Sequence, residues 1–93
     1  MHIEVLKNLF ETHKESHLYH RYITNAHIEP LFKKLDSKMT IEVIGASVLK
    51  KPIYGIRMGS GTKKILMWSQ MHGNESTTTK ALFDVLNTLS EDL

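Results

Sequence analysis

Cysteine is absent from the 93-residue chain, and this absence removes several classes of functional site. The chain can form no disulfide, has no thiolate nucleophile and cannot build a cysteine-ligated zinc or iron–sulfur centre. Low-complexity segments and internal repeats are absent as well. The hydrophobic fraction of 41% and the charged fraction of 24% are ordinary for a globular protein. A chain of this length forms at most one domain with a small core.

Long apolar runs are also missing. The N-terminus, MHIEVLKNLFETHKESH, lacks the uninterrupted apolar segment of a signal peptide, and no stretch approaches the ~20 apolar residues that span a bilayer. We therefore expect a cytoplasmic location and no membrane partner. The net charge is only +2, and the lysine pairs 33–34, 50–51 and 63–64 lie in or beside predicted turns and helix ends. Because nucleic-acid-binding domains usually show a stronger basic patch, we expect no nucleic-acid partner.

Two helices are predicted in the first half of the chain. Apolar residues recur at helical spacing over residues 3–15, which predicts an amphipathic helix. The stretch RYITNAHIEPLFKKLDSK predicts a second helix, which Thr24 or Asn25 can cap. Pro30 fits this helix only in its first turn, where the missing N–H costs little.

Strands follow, and then a last helix. MTIEVIGAS and KPIYGIRMG alternate as half-buried strands do, and their short linker predicts an antiparallel pair. KILMWSQM, residues 64–71, begins as a continuous apolar run that is typical of a strand covered on both faces. A helix is predicted over about residues 76–90. The fold class is thus α/β, with helices flanking a mixed three-stranded sheet. The last strand and helix suggest the start of a parallel crossover, whose returning strand lies outside the chain, so we expect a fragment of a larger domain.

The stretch HKESHLYH places His13, His17 and His20 at spacings of four and three. On one continuous helix these side chains would share a face that could hold a metal. The stretch differs from the HEXXH motif, because Lys14 stands where that motif has its glutamate. A structural or surface role is therefore favoured, and a metal-binding module built from these three histidines stays open as an alternative.

His72 and Glu75, in the sequence HGNE, form the second candidate site. They lie where a predicted strand gives way to a helix, which is the edge of an α/β sheet where ligands bind. Gly73 is expected to permit an unusual backbone turn that directs both side chains to one point. Imidazole nitrogen and carboxylate oxygen are good zinc ligands. The alternative is a polar turn in which Asn74 or Ser76 caps the helix.

Read together, these segments resemble the zinc metallocarboxypeptidase family, the carboxypeptidase A-like exopeptidases. The matching pieces are IGAS at 44–47, KPIY at 51–54 and HGNE at 72–75, in the order and spacing of that family. RYITNAHIEPLFKKL resembles the family's N-terminal element, so the resemblance covers about residues 20–92. It implies that residues 1–93 are an incomplete N-terminal portion of a larger three-layer α/β/α catalytic domain.

The resemblance also implies that His72 and Glu75 are two of three protein ligands of a catalytic zinc. In the family the third ligand is a histidine far downstream, and the general-base glutamate and the arginine that holds the substrate carboxylate also lie downstream. After Glu75 this chain has no histidine, no arginine and a single glutamate, Glu91. We therefore expect the chain alone to be catalytically inert and to bind zinc weakly.

Asn74 bears on the substrate class. Many carboxypeptidases have arginine at this position, whereas HGNE is similar to the related deacylases of the aspartoacylase and succinylglutamate desuccinylase group. The SVLKKPIY lead-in favours the peptidase, so the implied partner is a peptide, or otherwise an N-acyl amino acid, with Asn74 as a substrate-binding candidate. A non-catalytic interaction domain that forms a homo-oligomer through an open sheet edge is the alternative from another class.

Overall fold

The first helix is shorter than its sequence pattern predicts. In the computed structural model, which describes residues 2–91, helix α1 spans Ile3–His13 instead of residues 3–15. The predicted apolar face forms but is not covered, and Ile3 and Phe10 expose 78% and 51% of their surface. Helical periodicity therefore identified the helix correctly without showing whether its apolar face would be buried.

Thr24 begins the second helical region, as predicted, but the region is broken into three short pieces. The helix α2 spans Asn25–Ile28, a 3-10 turn spans Glu29–Leu31, and the helix α3 spans Phe32–Leu35. The Thr24 N–H donates to His27 Nδ1 at 2.9 Å, which closes the first turn. Pro30 lies within the 3-10 turn, because it has no N–H to continue an α-helical ladder.

The antiparallel pair of strands is confirmed. Strand β1, Thr40–Ala46, pairs with strand β2, Pro52–Arg57, in the register Ile41 to Ile56. The register shifts between Val43 and Gly45, so one residue of β1 has no partner on β2. Such a bulge bends the strand and increases its local twist.

The prediction of a third strand over residues 64–71 is wrong. Within residues 2–91 the sheet has two strands, and the segment 64–71 makes no ladder hydrogen bonds. Its apolar side chains are exposed rather than covered on both faces, and Leu66 is 82% exposed. A strand requires a neighbour for its backbone groups, and no described strand pairs with this segment. The architecture observed is thus mixed α/β with a two-stranded antiparallel sheet.

The last helix, α4, spans Thr77–Ser90, so the helix predicted over about residues 76–90 is confirmed. It packs against α1 and α3, and it contributes Phe83 to the core. The core consists of six buried apolar residues drawn from the loop after α1, the broken helical region, the turn before β1 and α4, namely Leu18, Ile23, Leu31, Leu35, Met39 and Phe83. Among residues 2–91, no helix is long and apolar enough to cross a bilayer.

Glu15 is the buried charge that joins α1 to this core. It accepts hydrogen bonds from Lys34 Nζ, from His17 Nδ1 at 2.9 Å and from Asn87 Nδ2 at 3.1 Å, so it links α3, α4 and its own loop. Its backbone N–H donates to Asp84 at 2.6 Å. Burial raises the pKa of its carboxyl, but these three donors and the His17 backbone N–H together outweigh burial and lower the pKa to about 2.

Candidate functional site

His72 and Glu75 lie in the turn that leads into α4, and the structure brings their side chains together. The Glu75 N–H donates to the His72 carbonyl at 2.9 Å, which closes the turn. As a result the His72 Nδ1 lies 3.2 Å from Glu75 Oε2. Both side chains are about 70% exposed to solvent (72% and 69%), so a ligand can reach the two atoms directly.

The distance between these two atoms fits a shared metal ion. Ligand atoms about 2.05 Å from zinc lie about 3.3 Å apart at a tetrahedral angle. The Nδ1–Oε2 distance of 3.2 Å is therefore close to one edge of a zinc coordination shell. No third histidine, aspartate or glutamate joins the pair, and residues 2–91 contain no cluster of three such side chains. The described residues thus provide two ligands.

The predicted role of Gly73 in this turn is wrong. Among the described residues Gly59 is the glycine with a positive φ, and a Cβ added to Gly73 would meet open space. The left-handed residue near the site is Gln70, at φ 55°. The turn therefore does not depend on the conformational freedom of glycine, and the i to i+3 spacing of His72 and Glu75 suffices to bring them together.

Gln70 is the positioning residue that the sequence did not reveal. Its Nε2 donates to the Gly73 carbonyl at 2.8 Å and to the Ile23 carbonyl at 2.7 Å, and its Oε1 accepts from Thr79 Oγ1 at 2.7 Å. One side chain thus joins the ligand turn, the start of α4 and a distant segment. A glutamine beside a turn carries no pattern that predicts these contacts, because they depend on the approach of Ile23.

Ser76 adds a second link between the ligand turn and the same segment. It is the N-cap residue of α4, as the sequence allowed, but its hydroxyl does not bond the helix. Instead its Oγ is buried and accepts the Ile23 N–H at 2.8 Å. Both backbone groups of Ile23 are therefore bonded to residues that flank His72 and Glu75, and Ile23 itself is part of the core.

Asn74 lies on the wall of an open depression beside the ligand pair. The depression has a volume of about 500 Å³, and Arg21, Gln70 and Glu75 also line it. The carboxamide of Asn74 offers both a donor and an acceptor to a small molecule in this space. The structure thus places the predicted substrate-binding candidate next to the predicted metal ligands.

His13, His17 and His20, the other candidate metal ligands, do not form a metal site in the structure. His13 Nδ1 bonds the Leu9 carbonyl at 3.0 Å, and His17 Nδ1 bonds Glu15 at 2.9 Å. His20 stacks on His27 with ring centroids 3.8 Å apart, an arrangement in which parallel rings do not direct nitrogens at one point. The end of α1 at His13 separates these side chains, so they do not share one helix face.

A carboxylate and an imidazole face each other at zinc-ligand spacing in the turn before α4, and both groups are of types that bind zinc. A family model described as zinc carboxypeptidase matches residues 24–92, which include both side chains and all of the described sheet. The chain belongs to the zinc carboxypeptidase family, and the predicted family is confirmed. Neither the curated proteins nor the solved structures include a significant match to the chain.

Proposed function

We propose that His72 and Glu75 are two zinc ligands of a metallocarboxypeptidase-type hydrolase that removes C-terminal residues from peptides. The observation that carries the proposal is the 3.2 Å separation of His72 Nδ1 and Glu75 Oε2, inside the region that matches the zinc carboxypeptidase family. When bound, zinc supplies a Lewis acid that polarises the scissile carbonyl and lowers the pKa of a water molecule.

The chain's own residues have distinct roles in this proposal. His72 contributes a neutral imidazole nitrogen, and Glu75 contributes a carboxylate oxygen that also offsets the positive charge of the ion. Gln70 and Ser76 fix the turn to the backbone of Ile23 and so place the backbone positions of both ligands. Asn74, which lines the neighbouring depression, is proposed to hydrogen-bond the substrate.

A catalytic zinc usually has three protein ligands and one open position. Residues 2–91 bring together two candidate ligands, and we propose that the third ligand and the general base are supplied from outside these residues. The chain alone is then expected to bind zinc weakly and to hydrolyse no peptide.

Zinc titration of the chain tests the ligand assignment without any need for activity. We expect weak binding by the wild-type chain, and a loss of at least about tenfold in affinity in His72→Ala and in Glu75→Gln. His17→Ala is the matched control, because His17 also faces a carboxylate, at 2.9 Å, but is assigned no ligand role. Equal affinity of the wild type and His72→Ala, or a loss in His17→Ala, would contradict the assignment.

A deacylase of the aspartoacylase and succinylglutamate desuccinylase type is the second candidate, and Asn74 is the residue that favours it. The two candidates differ in the bond that is cleaved. Assays of an active enzyme that contains this sequence would compare peptides with free and with blocked C-termini beside N-acyl amino acids. Cleavage that requires a free C-terminal carboxylate on a peptide supports the carboxypeptidase, whereas release of the acyl group from single amino acids supports the deacylase.

A further inference from the structure

The apolar face of α1 is exposed to solvent. Within the described helix Ile3–His13 no residue is buried, and Ile3, Leu6 and Phe10 each expose at least half of their surface. Their spacing of three and four places these side chains on one stripe of the helix. Grouped apolar side chains on a surface mark a contact site, whereas scattered ones do not. We call Ile3, Leu6 and Phe10 the α1 stripe.

A different side of α1 attaches the helix to the core. The helix packs against α4, where the His13 carbonyl accepts a hydrogen bond from Asn87 Nδ2 at 3.0 Å. Leu9 and His13 are the residues of α1 that are half-buried. The helix also precedes residues 24–92, the part of the chain that matches the zinc carboxypeptidase model. The α1 stripe is therefore left free by α4 and lies outside the region shared with the family.

Four exposed charged residues border the α1 stripe, on the side away from Leu9 and His13. At 3.6 residues per turn they lie within about 100° of Ile3, whereas the rest of the stripe lies on the other side of Ile3. Their signs alternate along the chain, in the order Glu4, Lys7, Glu11 and Lys14. We call these four residues the charged flank. Its formal charge is zero, because two carboxylates balance two ammonium groups.

The charged flank is complementary to itself when two copies of α1 run antiparallel. A twofold axis perpendicular to such a pair places the same flank of both helices side by side, and each contact occurs twice. With the axis near Leu9 along the helix, Glu4 of one copy faces Lys14 of the other, and Lys7 faces Glu11. In a parallel pair the charged flank would instead meet the side on which α4 packs.

We infer that two copies of the chain associate through antiparallel α1 helices. The two α1 stripes bury each other, with Leu6 of one copy close to Phe10 of the other, and the charged flanks pair with opposite signs. Lys14 is bonded to Glu11 of its own chain at 3.1 Å, and its ammonium has further donors for Glu4 of the second copy. The contact does not involve zinc, so it goes beyond the proposed function.

The size of the α1 stripe sets the expected strength of the association. A standard protein interface buries roughly 800 Å² on each partner. Three apolar side chains that are already partly covered provide less, so we expect a reversible dimer with a Kd on the order of 100 µM. A lipid surface suits α1 less well, because helices that lie at a membrane interface carry a polar face rich in lysine and arginine. The charged flank is neutral.

Sedimentation equilibrium of the chain, over concentrations of about 10 µM to 1 mM, measures the association. We expect a monomer–dimer equilibrium that Leu6→Glu weakens at least tenfold, because the pairing would bury an unpaired carboxylate. Leu66→Glu is the matched control, since Leu66 is also an exposed leucine but lies outside α1, and it should associate as the wild type does. Circular dichroism checks that both variants keep their helices.

Three results of this measurement would each overturn the inference. They are a wild type that stays monomeric at the highest concentration, equal association of Leu6→Glu and the wild type, and loss of the dimer in Leu66→Glu. The last result would assign the contact to the apolar segment that contains Leu66.

An exchange of charges tests the antiparallel arrangement. Glu4→Lys and Lys14→Glu should each weaken the dimer about fivefold, because each places like charges together at two symmetric contacts. The double variant should recover the wild-type affinity, since it restores opposite charges between the copies. The two positions are ten residues apart (4 to 14), about 15 Å along one helix, so they cannot compensate each other within one chain. Additive losses in the double variant would overturn the inference.

Vesicles of phosphatidylcholine and phosphatidylserine test the other occupant of the α1 stripe. We expect little cosedimentation of the wild-type chain with these vesicles, because the charged flank has no net positive charge to attract anionic lipid. Cosedimentation that Leu6→Glu abolishes, for a wild type that is monomeric in solution, would assign the stripe to a lipid surface and overturn the inference.

Discussion

Removing the charge of Glu15 should destabilise the chain at neutral pH far more than removing an exposed carboxylate. Glu15→Gln keeps the size of the side chain, but an amide cannot satisfy the ammonium of Lys34 or the ring N–H of His17 as a carboxylate does. The substitution removes the buried anionic acceptor of two donors, Lys34 and His17, that are themselves partly exposed to solvent. The loss is costly because charge-assisted hydrogen bonds to a buried carboxylate are about twice as strong as bonds to a neutral amide.

The pKa of Glu15 sets the size of this effect. Lowering of the pKa from 4.5 to about 2 corresponds to about 3.4 kcal/mol of stability, at about 1.4 kcal/mol per pKa unit. The side chain of Lys34 is 45% exposed, so solvent screens part of this attraction. We therefore expect Glu15→Gln to lower the free energy of unfolding by about 2 kcal/mol. In a domain of this size that is a fall of about 8–16 °C in Tm.

Urea unfolding, followed by far-ultraviolet circular dichroism, measures the loss. Glu11→Gln is the control, because Glu11 pairs with Lys14 at 3.1 Å on the surface and should cost less than about 0.5 kcal/mol. The folded-state pKa of Glu15 is below its unfolded value, so its stabilisation is present above pH 4.5 and is lost as the pH falls toward about 2. Equal stability of the two variants at neutral pH, or a Glu15→Gln deficit that persists at pH 2, would refute this account.

The sheet and the stacked histidines give two more expectations. A Cβ on Gly55 would lie 2.7 Å from Ile44 Cγ2, so Gly55→Ala should cost about 1–3 kcal/mol in urea unfolding, and adding Ile44→Ala should recover most of the loss. Burial, followed by the nearby His27 and Lys80, lowers the pKa of His20 below its usual 6.5. The unfolded chain then binds more protons than the folded one, so stability should fall as the pH drops below about 6.5, and His20→Phe should flatten this slope. If His20→Phe leaves the slope of stability against pH unchanged, another titrating group causes that slope.

Features of the fold that depend on local contacts could be predicted from the sequence. The Thr24 cap needs only its own first turn, and the β1–β2 pair is joined by a short linker. The apolar period of α4 likewise lies within one continuous segment. In each case the interactions that stabilise the element join residues close together in sequence, so one stretch contains the whole pattern.

Features that depend on distant partners could not be predicted. The run 64–71 has the composition of a buried strand, but burial and ladder hydrogen bonds must come from other elements, and the described residues provide none. Glu15 shows the same dependence on distant partners, since no local pattern predicts that a glutamate after α1 is buried by donors 19 and 72 residues away. In both cases tertiary contacts override the local pattern.

The candidate site also has local features that could be predicted and long-range contacts that could not, and both affect its affinity for zinc. The His72–Glu75 spacing is local and was predicted, whereas the bonds from Gln70 and Ser76 to Ile23 cross about 50 residues (47 and 53) and were not. These bonds fix the backbone of the turn, which lowers the entropic cost of bringing the two side chains to one ion. The weak zinc affinity expected of the chain therefore follows from the number of ligands and not from a loose turn.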